Sequence, residues 1–514
     1  MDFDKTVQLI YWCTDWISSN IIFLTLLLLC YLGFSVAKQV HTSPLRHIPG
    51  PLPARLTKRY FELISALGGM ATNGLKHSRR YGDIYVCQPN GISISDPADI
   101  RRVLSTPQFT KHRYYRLLKF TGIDSIMTTM EHDMVSKRRR TLGPYFTTSF
   151  VSKMEALIMA HGAQAIIAKW DSQLEESQTC VVNYSETFTL CMFSSVSRLV
   201  FGQELLFDNN EQLRWITNST LFISMRAILQ LLPHWLFKIL TWPWEHMYTK
   251  IATHVENSIS ERKQLLAQSS DRPVDLLQAL LDCEDPKSKM HLSPEQIHAE
   301  ALLLLIGGID PIAFTLTWAV HLLMLYPECY KRATDEVRSQ FSSLVSYAEA
   351  RARLPFLEAC ILETLRLVPV PSVQIPREVP SGGTTIKGHF IPAGTVVFAN
   401  TWGSHTSEQH WRDPLRFHPE RFLEGSSAEI RLRRHSVFTF GYGNRICLGK
   451  HLAWFNMLTI LANLLLRYDF KLPSTCSRAD RSGLPRLMAM TTFLSNKPKY
   501  PETDCQLIIT KAKS

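Results

Sequence analysis

The segment FGYGNRICLG, Phe440 to Gly449, sets one cysteine among three glycines and an arginine, just ahead of LGKHLAWFNMLTILANLLLRYDF, a run with helical apolar spacing. Taken alone, Cys447 reads as a small buried thiol beside a turn. Its place before a helix amino terminus points further, because the unpaired N–H groups and the helix dipole there stabilise a thiolate. Glycines 441, 443 and 449 allow the backbone to approach a large planar ligand closely. Arg445, two residues before the cysteine, is positioned to pair with a carboxylate on such a ligand.

The rest of the chain narrows the class. Its 514 residues are 45% hydrophobic and 20% charged, ordinary for a globular protein with a large core. The 11 cysteines are odd in number and contain no C-x-x-C pair, which argues against a disulfide framework and a cysteine-rich zinc site. A net charge of +11 allows an anionic membrane surface, an acidic protein partner or nucleic acid. No nucleic-acid module is present, so nucleic acid is not expected as a partner.

Trp16 to Ala37 contains no charged residue, and 22 residues suffice to cross ~30 Å of hydrocarbon as a helix. Asp2, Asp4 and Asp15 precede it against Lys5, whereas Lys38, Arg46, Arg55, Lys58 and Arg59 follow. That bias predicts a short lumenal amino terminus (1–15), an uncleaved transmembrane anchor (16–37) and a cytosolic body. The proline-rich stretch within 38–55 reads as a stiff, extended hinge, and 56–514 as the catalytic domain.

In YVCQPNGISISDPADI the alternation around Asn90-Gly91 predicts a hairpin, with a helix after Asp96-Pro97. Most of 98–370 shows helical periodicity, and β-like pieces return in TTIKGHFIPAGTVVFAN. The expected fold is one mainly α domain with a small β portion, in the α+β class. Trp235, Trp242 and Trp244, near two prolines, fit either a buried core helix or a loop dipping into a membrane interface.

Two helices carry chemistry. Ser293 with Pro294 and Gln296 makes a capping box for a long apolar helix that Pro327 stops. In its middle stand Gly307, Gly308, Asp310 and Pro311, where helix breakers beside an acid predict a local opening and a reaction groove. In LPFLEACILETLRLVP, Glu363 and Arg366 share a face, and Arg421 in FHPERFLE is a third partner for a buried carboxylate bridging two arginines. A lone thiolate with an arginine two residues away suits heme iron, since the porphyrin fills four coordination positions itself.

In these residues the chain resembles a cytochrome P-450, a heme-thiolate monooxygenase. Phe440, Gly443, Arg445, Cys447 and Gly449 fill the F-x-x-G-x-R-x-C-x-G signature; Glu363 and Arg366 match the E-x-x-R helix, and Arg421 the P-E-R-F turn. The resemblance implies heme b with Cys447 as axial iron ligand, and Arg445, Phe440, Gly441 and Gly449 around it. It also implies that Arg139 and Arg377 hold the heme propionates. An aromatic residue or histidine is usual four positions before the first of these, where this chain has Val135. Relatives read A-G-x-D-T at the proton-delivering point of the long helix; here Gly307, Asp310 and Pro311 occupy that point, so the acid stays and the alcohol is gone. Thr315, one turn on, is expected to bond its own backbone.

The implied function is oxidation of a lipophilic small molecule with O2 and electrons from NADPH through a cytochrome P-450 reductase, with cytochrome b5 as a further possible donor. The implied setting is the endoplasmic reticulum membrane and fungal secondary metabolism of terpenoid, polyketide or alkaloid type. The missing threonine raises an oxygen-independent isomerase or dehydratase as the alternative; a non-catalytic heme binder is a third class. Lys137, Arg138, Arg140, Arg431, Arg433 and Arg434 are expected on a basic face that docks the reductase.

Overall fold

The computed structural model describes residues 23, 25–27, 29–31, 33–119, 122–202, 232–269, 272–370, 374–473, 486–492 and 494–512. The expected lumenal segment, residues 16–22 of the expected anchor and the start of the tryptophan-rich region lie outside them.

Backbone chemistry at Asn90-Gly91 joins β1 (Ile84–Gln88) to β2 (Gly91–Ile94) as an antiparallel pair, with Ile84 opposite Ile94. The Asp96 carboxylate then accepts from the Ala98 and Asp99 N–H groups, and Pro97 opens α1 (Pro97–Ser105). With β3 (Thr110–Lys111), β5 (Ile375–Glu378) and β8 (Val396–Ala399) these strands form one sheet in the order β1-β2-β8-β5-β3. Three smaller sheets lie among the described residues. They are β4 (Cys180–Asn183) with β12 (Gln506–Lys511) and β9 (Tyr468–Lys471), the hairpin β6 (Thr384–Ile386) and β7 (His389–Ile391), and β10 (Met490–Thr492) with β11 (Asn496–Pro498).

Helices form the bulk. The site rests on α2 (His132–Leu142), α3 (Tyr184–Phe201), α4 (His234–Gln268), α5 (Pro294–Leu325), α6 (Pro355–Leu367), α7 (Thr401–His405), α8 (Ser427–His435) and α9 (Lys450–Arg467). The α5 helix begins as expected: Ser293 Oγ accepts from the Gln296 N–H (3.3 Å), and the Gln296 side chain accepts from the Ser293 N–H (3.1 Å). At ~1.5 Å per residue it spans about 50 Å. It is long and apolar enough to cross a membrane, but most of its surface is buried against α3, α6 and α9 in the main core cluster.

Two expectations about the amino-terminal region change. Helical backbone runs through residue 42, five residues into the expected hinge, because nothing between Lys38 and Thr42 breaks it and Pro44 is the first residue to disfavour helix in its predecessor. Inside the hinge, Leu52–Leu56 is itself a short helix, since prolines in a first turn lose no helical hydrogen bond. Leu45, Ile48 and Ala54 are buried, so this hinge is packed onto the body.

The tryptophan-rich segment fits neither alternative fully. Its described part is the start of α4, helical rather than a loop, yet Trp235, Ile239, Leu240 and Trp242 are exposed rather than in the core.

Candidate cofactor and catalytic site

A tight loop presents the cysteine. Cys447 N donates to Phe440 O (2.8 Å) and Gly441 N to Phe438 O (2.7 Å), with Gly441 at φ +73°. Gly443 has a different duty from the expected ligand contact: a Cβ there would stand 2.6 Å from Ser105 Cα at the end of α1. Gly449 does face open space, with no atom within 4 Å of a Cβ there, whereas a Cβ at Gly441 would touch Arg445 O at 3.7 Å. Cys447 is exposed, yet burial of its surroundings pushes the thiol pKa up, against the pull of the Gly449 N–H, Arg139 and Lys450. Both follow if the sulfur lines an enclosed space rather than the outer surface. Lys450 also sits 6.0 Å above the Phe440 ring.

Beside this loop cations converge. Arg139 of α2 donates Nη1 to Ile446 O (2.8 Å). Arg445 donates Nη2 to Met130 O (3.3 Å), and its buried Nη1 has no hydrogen-bond partner among the described residues. Arg377 of β5 donates Nη1 to Tyr115 Oη (3.1 Å). Burial, then the charges of Arg377 and Arg139, hold Arg445 down at about 10. Lys111 stands opposite Arg377 in the β3–β5 ladder and belongs to the same group. Burial, then Arg445, Arg377 and Arg139, push its pKa down to about 6. The acid that faces Lys111 is Glu300, already bonded to Arg138 and to the Ile126 N–H (2.8 Å).

Sequestered cations of one sign repel each other and call for an anion. A ligand with two carboxylates, flat enough for a glycine-lined loop and offering iron to a thiol, meets that demand, and heme b has those properties. The orphaned Arg445 Nη1 is the plainest sign that a partner belongs here.

Behind the loop lies a buried ion network. Glu363 and Arg366 of α6 are fully buried, joined by Nε to Oε2 and Nη2 to Oε1 bonds of 2.7 Å each. Arg421 Nε reaches Glu363 Oε1 at 2.9 Å, and the His418 N–H donates to the same oxygen at 2.9 Å. Arg366 spends its remaining donors on the carbonyls of His405, Pro414 and Arg416. His405, at the end of α7, carries the network onward, and nothing in its sequence context marks it. Its Nδ1 faces Arg366 O (3.1 Å), a carbonyl that can only accept, so Nδ1 bears the proton and Nε2 accepts from Phe438 N (2.8 Å). Burial and the Arg366 charge keep the ring neutral, its pKa pushed down to about 3. Thr439 Oγ1 adds a bond to Leu365 O (2.8 Å). The network therefore fixes the start of the cysteine loop.

Glu363→Gln tests that. The amide cannot balance two guanidinium groups, and breaking a buried ion pair costs about 3–5 kcal/mol. Denaturant unfolding is expected to show a loss of that size. Wild-type stability in this variant would remove the network from the fold's support.

At the centre of α5 the expected local opening is not seen. The helix is continuous through Pro311, although the ring removes one N–H and crowds the Gly307 carbonyl. Gly307 is exposed, and a Cβ there would have a single neighbour, Leu303 Cδ1 at 3.8 Å. Gly308 serves packing instead, its absent Cβ being 3.2 Å from Val196 of α3. Asp310 is buried, which pushes its carboxyl up to about 7 against the pull of Lys497 in β11. Thr315 Oγ1 donates to Pro311 O (2.6 Å), the backbone bond expected of it.

The basic residues near the loop divide. Arg138 is buried against Glu300 and points inward. Arg140 bonds Asp285 (3.2 Å), Arg434 bonds Glu358 (2.8 Å) and Arg433 donates to the Arg421 and Glu424 carbonyls (2.8 and 2.6 Å). Their spacing in sequence resembled a solvated basic face; their donors are largely committed within the fold. Lys137 is half-buried and Arg431 exposed, and neither is in an ion pair among the described residues.

Comparison with known proteins gives one family. The cytochrome P450 family model matches residues 49–496. Cytochrome P450 monooxygenase helB1 of Aspergillus fumigatus is 38% identical over 483 residues, 91% of this chain and 82% of its own length. Its companion helB2, from the same organism, is 37% identical over 509 residues, 96% and 99% of the two chains. Cytochrome P450 monooxygenase ABA2 of Pyricularia oryzae is 31% identical over 486 residues, 86% and 87%.

Proposed function

The chain belongs to the cytochrome P450 family, and from that premise we propose that it is a membrane-anchored monooxygenase of fungal secondary metabolism, acting on a lipophilic small molecule. As a family member it is an oxidoreductase that binds heme b through a cysteine thiolate. The heme supplies reductive activation of O2 and insertion of one oxygen atom into substrate. The observation that carries the placement of this site is the buried cation group beside Cys447, with the orphaned Arg445 Nη1.

In this reading the Cys447 thiolate would hold the heme iron, and Phe440, Gly441 and Gly449 shape the loop around its sulfur. Arg139, Arg377 and Arg445 neutralise the heme carboxylates. Glu363, Arg366 and Arg421, through His405, keep the loop from shifting. Asp310 passes protons inward, with water at the Gly307 carbonyl, which Pro311 leaves without its helical donor, in the position of the absent alcohol. The uncharged run 16–37 anchors the body to the endoplasmic reticulum membrane. Exposed Phe23, Leu26, Leu27, Leu29 and Phe34 in the described part support this. Trp235, Ile239 and Trp242 on α4 would touch the same surface, favouring substrates that partition into lipid.

Electrons would come from an acidic flavoprotein reductase, with cytochrome b5 as a second donor. Turnover of candidate terpenoid, polyketide or alkaloid precursors should require NADPH and reductase. Reversing Lys137 and Arg431 to glutamate should slow heme reduction severalfold at low ionic strength, and salt should shrink the difference. Equal reduction rates at low salt would move the docking face elsewhere; turnover without reductase would remove the electron donor from the reading altogether.

A further inference from the structure

Val135 leaves a gap in the polar surroundings expected for the heme carboxylates. It lies one turn before Arg139 on α2, is buried, and offers no hydrogen bond where an aromatic N–H or imidazole is usual. The neighbouring β3 region holds two groups that no motif assigns. Lys111 is buried, with Nζ donating to Met127 O (2.7 Å) and Ile126 O (3.1 Å) and lying 5.1 Å above the Tyr115 ring. An ammonium has three protons, so one remains beyond those two bonds. Tyr115 accepts from Arg377 through its hydroxyl oxygen, which leaves the hydroxyl proton to donate, and the Arg377 guanidinium stacks 5.8 Å from the same ring.

We propose that Lys111 and Tyr115 are carboxylate anchors of the cofactor in this chain, doing from the β3 side what Val135 cannot do from α2. The proposal rests on the heme-binding reading above and adds two residues to it.

The group's charges support the assignment. Lys111 lies close enough to Arg139, Arg377 and Arg445 to feel all three, and Glu300, the carboxylate facing it, is bonded to Arg138. Burial, and then these three arginine charges, push the pKa of the Lys111 ammonium down to about 6, so that without an anion it would shed its proton near neutral pH. Two propionates reverse that balance and make the ammonium a charge-assisted donor. Lys111 also ties down the segment at Ile126 and Met127, and a purely structural duty is the competing account.

The test separates them. Lys111→Gln keeps an N–H donor for the carbonyls and removes the charge; Lys111→Arg keeps the charge. Holoenzyme of each, and of Tyr115→Phe, is mixed with excess apomyoglobin and the rate of heme transfer is followed, while the heme reduction potential is measured by dye titration. A lost charge-assisted bond is expected to speed heme loss by roughly ten- to a hundredfold in Lys111→Gln. The potential should also become more negative, because a nearby positive charge favours the reduced heme. Lys111→Arg should stay near wild type, and Tyr115→Phe should lose heme severalfold faster. Wild-type heme loss and potential in Lys111→Gln overturn the proposal. If that variant is recovered without heme, Lys111→Arg decides, since it must then restore loading; failure to do so overturns it equally. The thiolate-shifted carbon monoxide band of the wild type checks the underlying heme reading separately. Its absence there would sink that reading, whereas its presence with unaltered heme loss in the variants sinks only the role of Lys111 and Tyr115.

Discussion

Cys447→Ala should abolish the strongly red-shifted absorption band of the reduced, carbon-monoxide-bound protein and bring product formation to background. The expectation rests on how the sulfur is held. The loop bond from Cys447 N to Phe440 O (2.8 Å) and the turn at Gly441 hold the backbone that carries it. The Gly449 N–H, Arg139 and Lys450 all draw the thiol toward its ionised form, and burial alone opposes them. An iron centre would tip that contest, because a coordinating thiol is deprotonated by the metal. Alanine removes the ligand while changing little volume, so folding and the ion network behind the loop should survive. Heme would then be held by its carboxylates and apolar contacts alone. A surviving thiolate band would mean that another cysteine is the ligand. Of the described free cysteines, Cys87, Cys191, Cys283, Cys329, Cys360 and Cys505 are buried, whereas Cys447 is exposed, and they are thus poorly placed to serve.

Which features could be read from the chain follows from the range of the forces that make them. The hairpin at Asn90-Gly91, the Asp96 cap and the Ser293–Gln296 capping box are local, built from atoms a few residues apart, and they stand where the spacing placed them. The Glu363–Arg366 pair is local too, and Arg421 was reachable because its motif is short. His405 was not legible: its duty comes from Arg366 O and Phe438 N, 39 and 33 residues away along the chain. Lys111 and Tyr115 were hidden for the same reason, since only the β3–β5 ladder sets Lys111 opposite Arg377. The basic residues erred in the opposite sense. KRRR reads as a solvated patch, yet helical geometry turns Arg138 inward to Glu300 while Arg139 reaches the cysteine loop. Charge runs report composition, and a helix divides them among its faces. The two α5 glycines likewise look alike in sequence, but Val196 crowds one and open space lies beside the other.

Asp310→Asn is expected to lower product formation by roughly 10²–10⁴-fold while leaving heme content intact, the range that proton delivery by a placed group supplies. Burial brings the Asp310 carboxyl to about 7, near working pH, so it can both hold and release a proton. The sign of the linked stability effect separates a working acid from a structural one. Between 3.8 and about 7 the native state keeps a proton that the unfolded chain has given up, so this group's contribution to stability falls as pH rises through that window. Asparagine has no such loss, and the variant should be at least as stable as wild type at neutral pH while much slower. A variant that is both slow and unstable would instead mean that Asp310 supports the fold, through Lys497 or otherwise. Pro311→Thr restores the hydroxyl usual at this point, and the missing N–H with it. Since α5 already runs unbroken through residue 311, the change should not disturb the helix, and product formed per NADPH consumed should hold steady or rise. The same measurement judges the rival chemistry. An isomerase or dehydratase would turn over a peroxide substrate without NADPH or reductase, and Asp310→Asn would have no oxygen-dependent proton step to impair. Reductase-independent turnover of that kind, unaffected by Asp310→Asn, would make the absence of threonine at position 311 the mark of that second class.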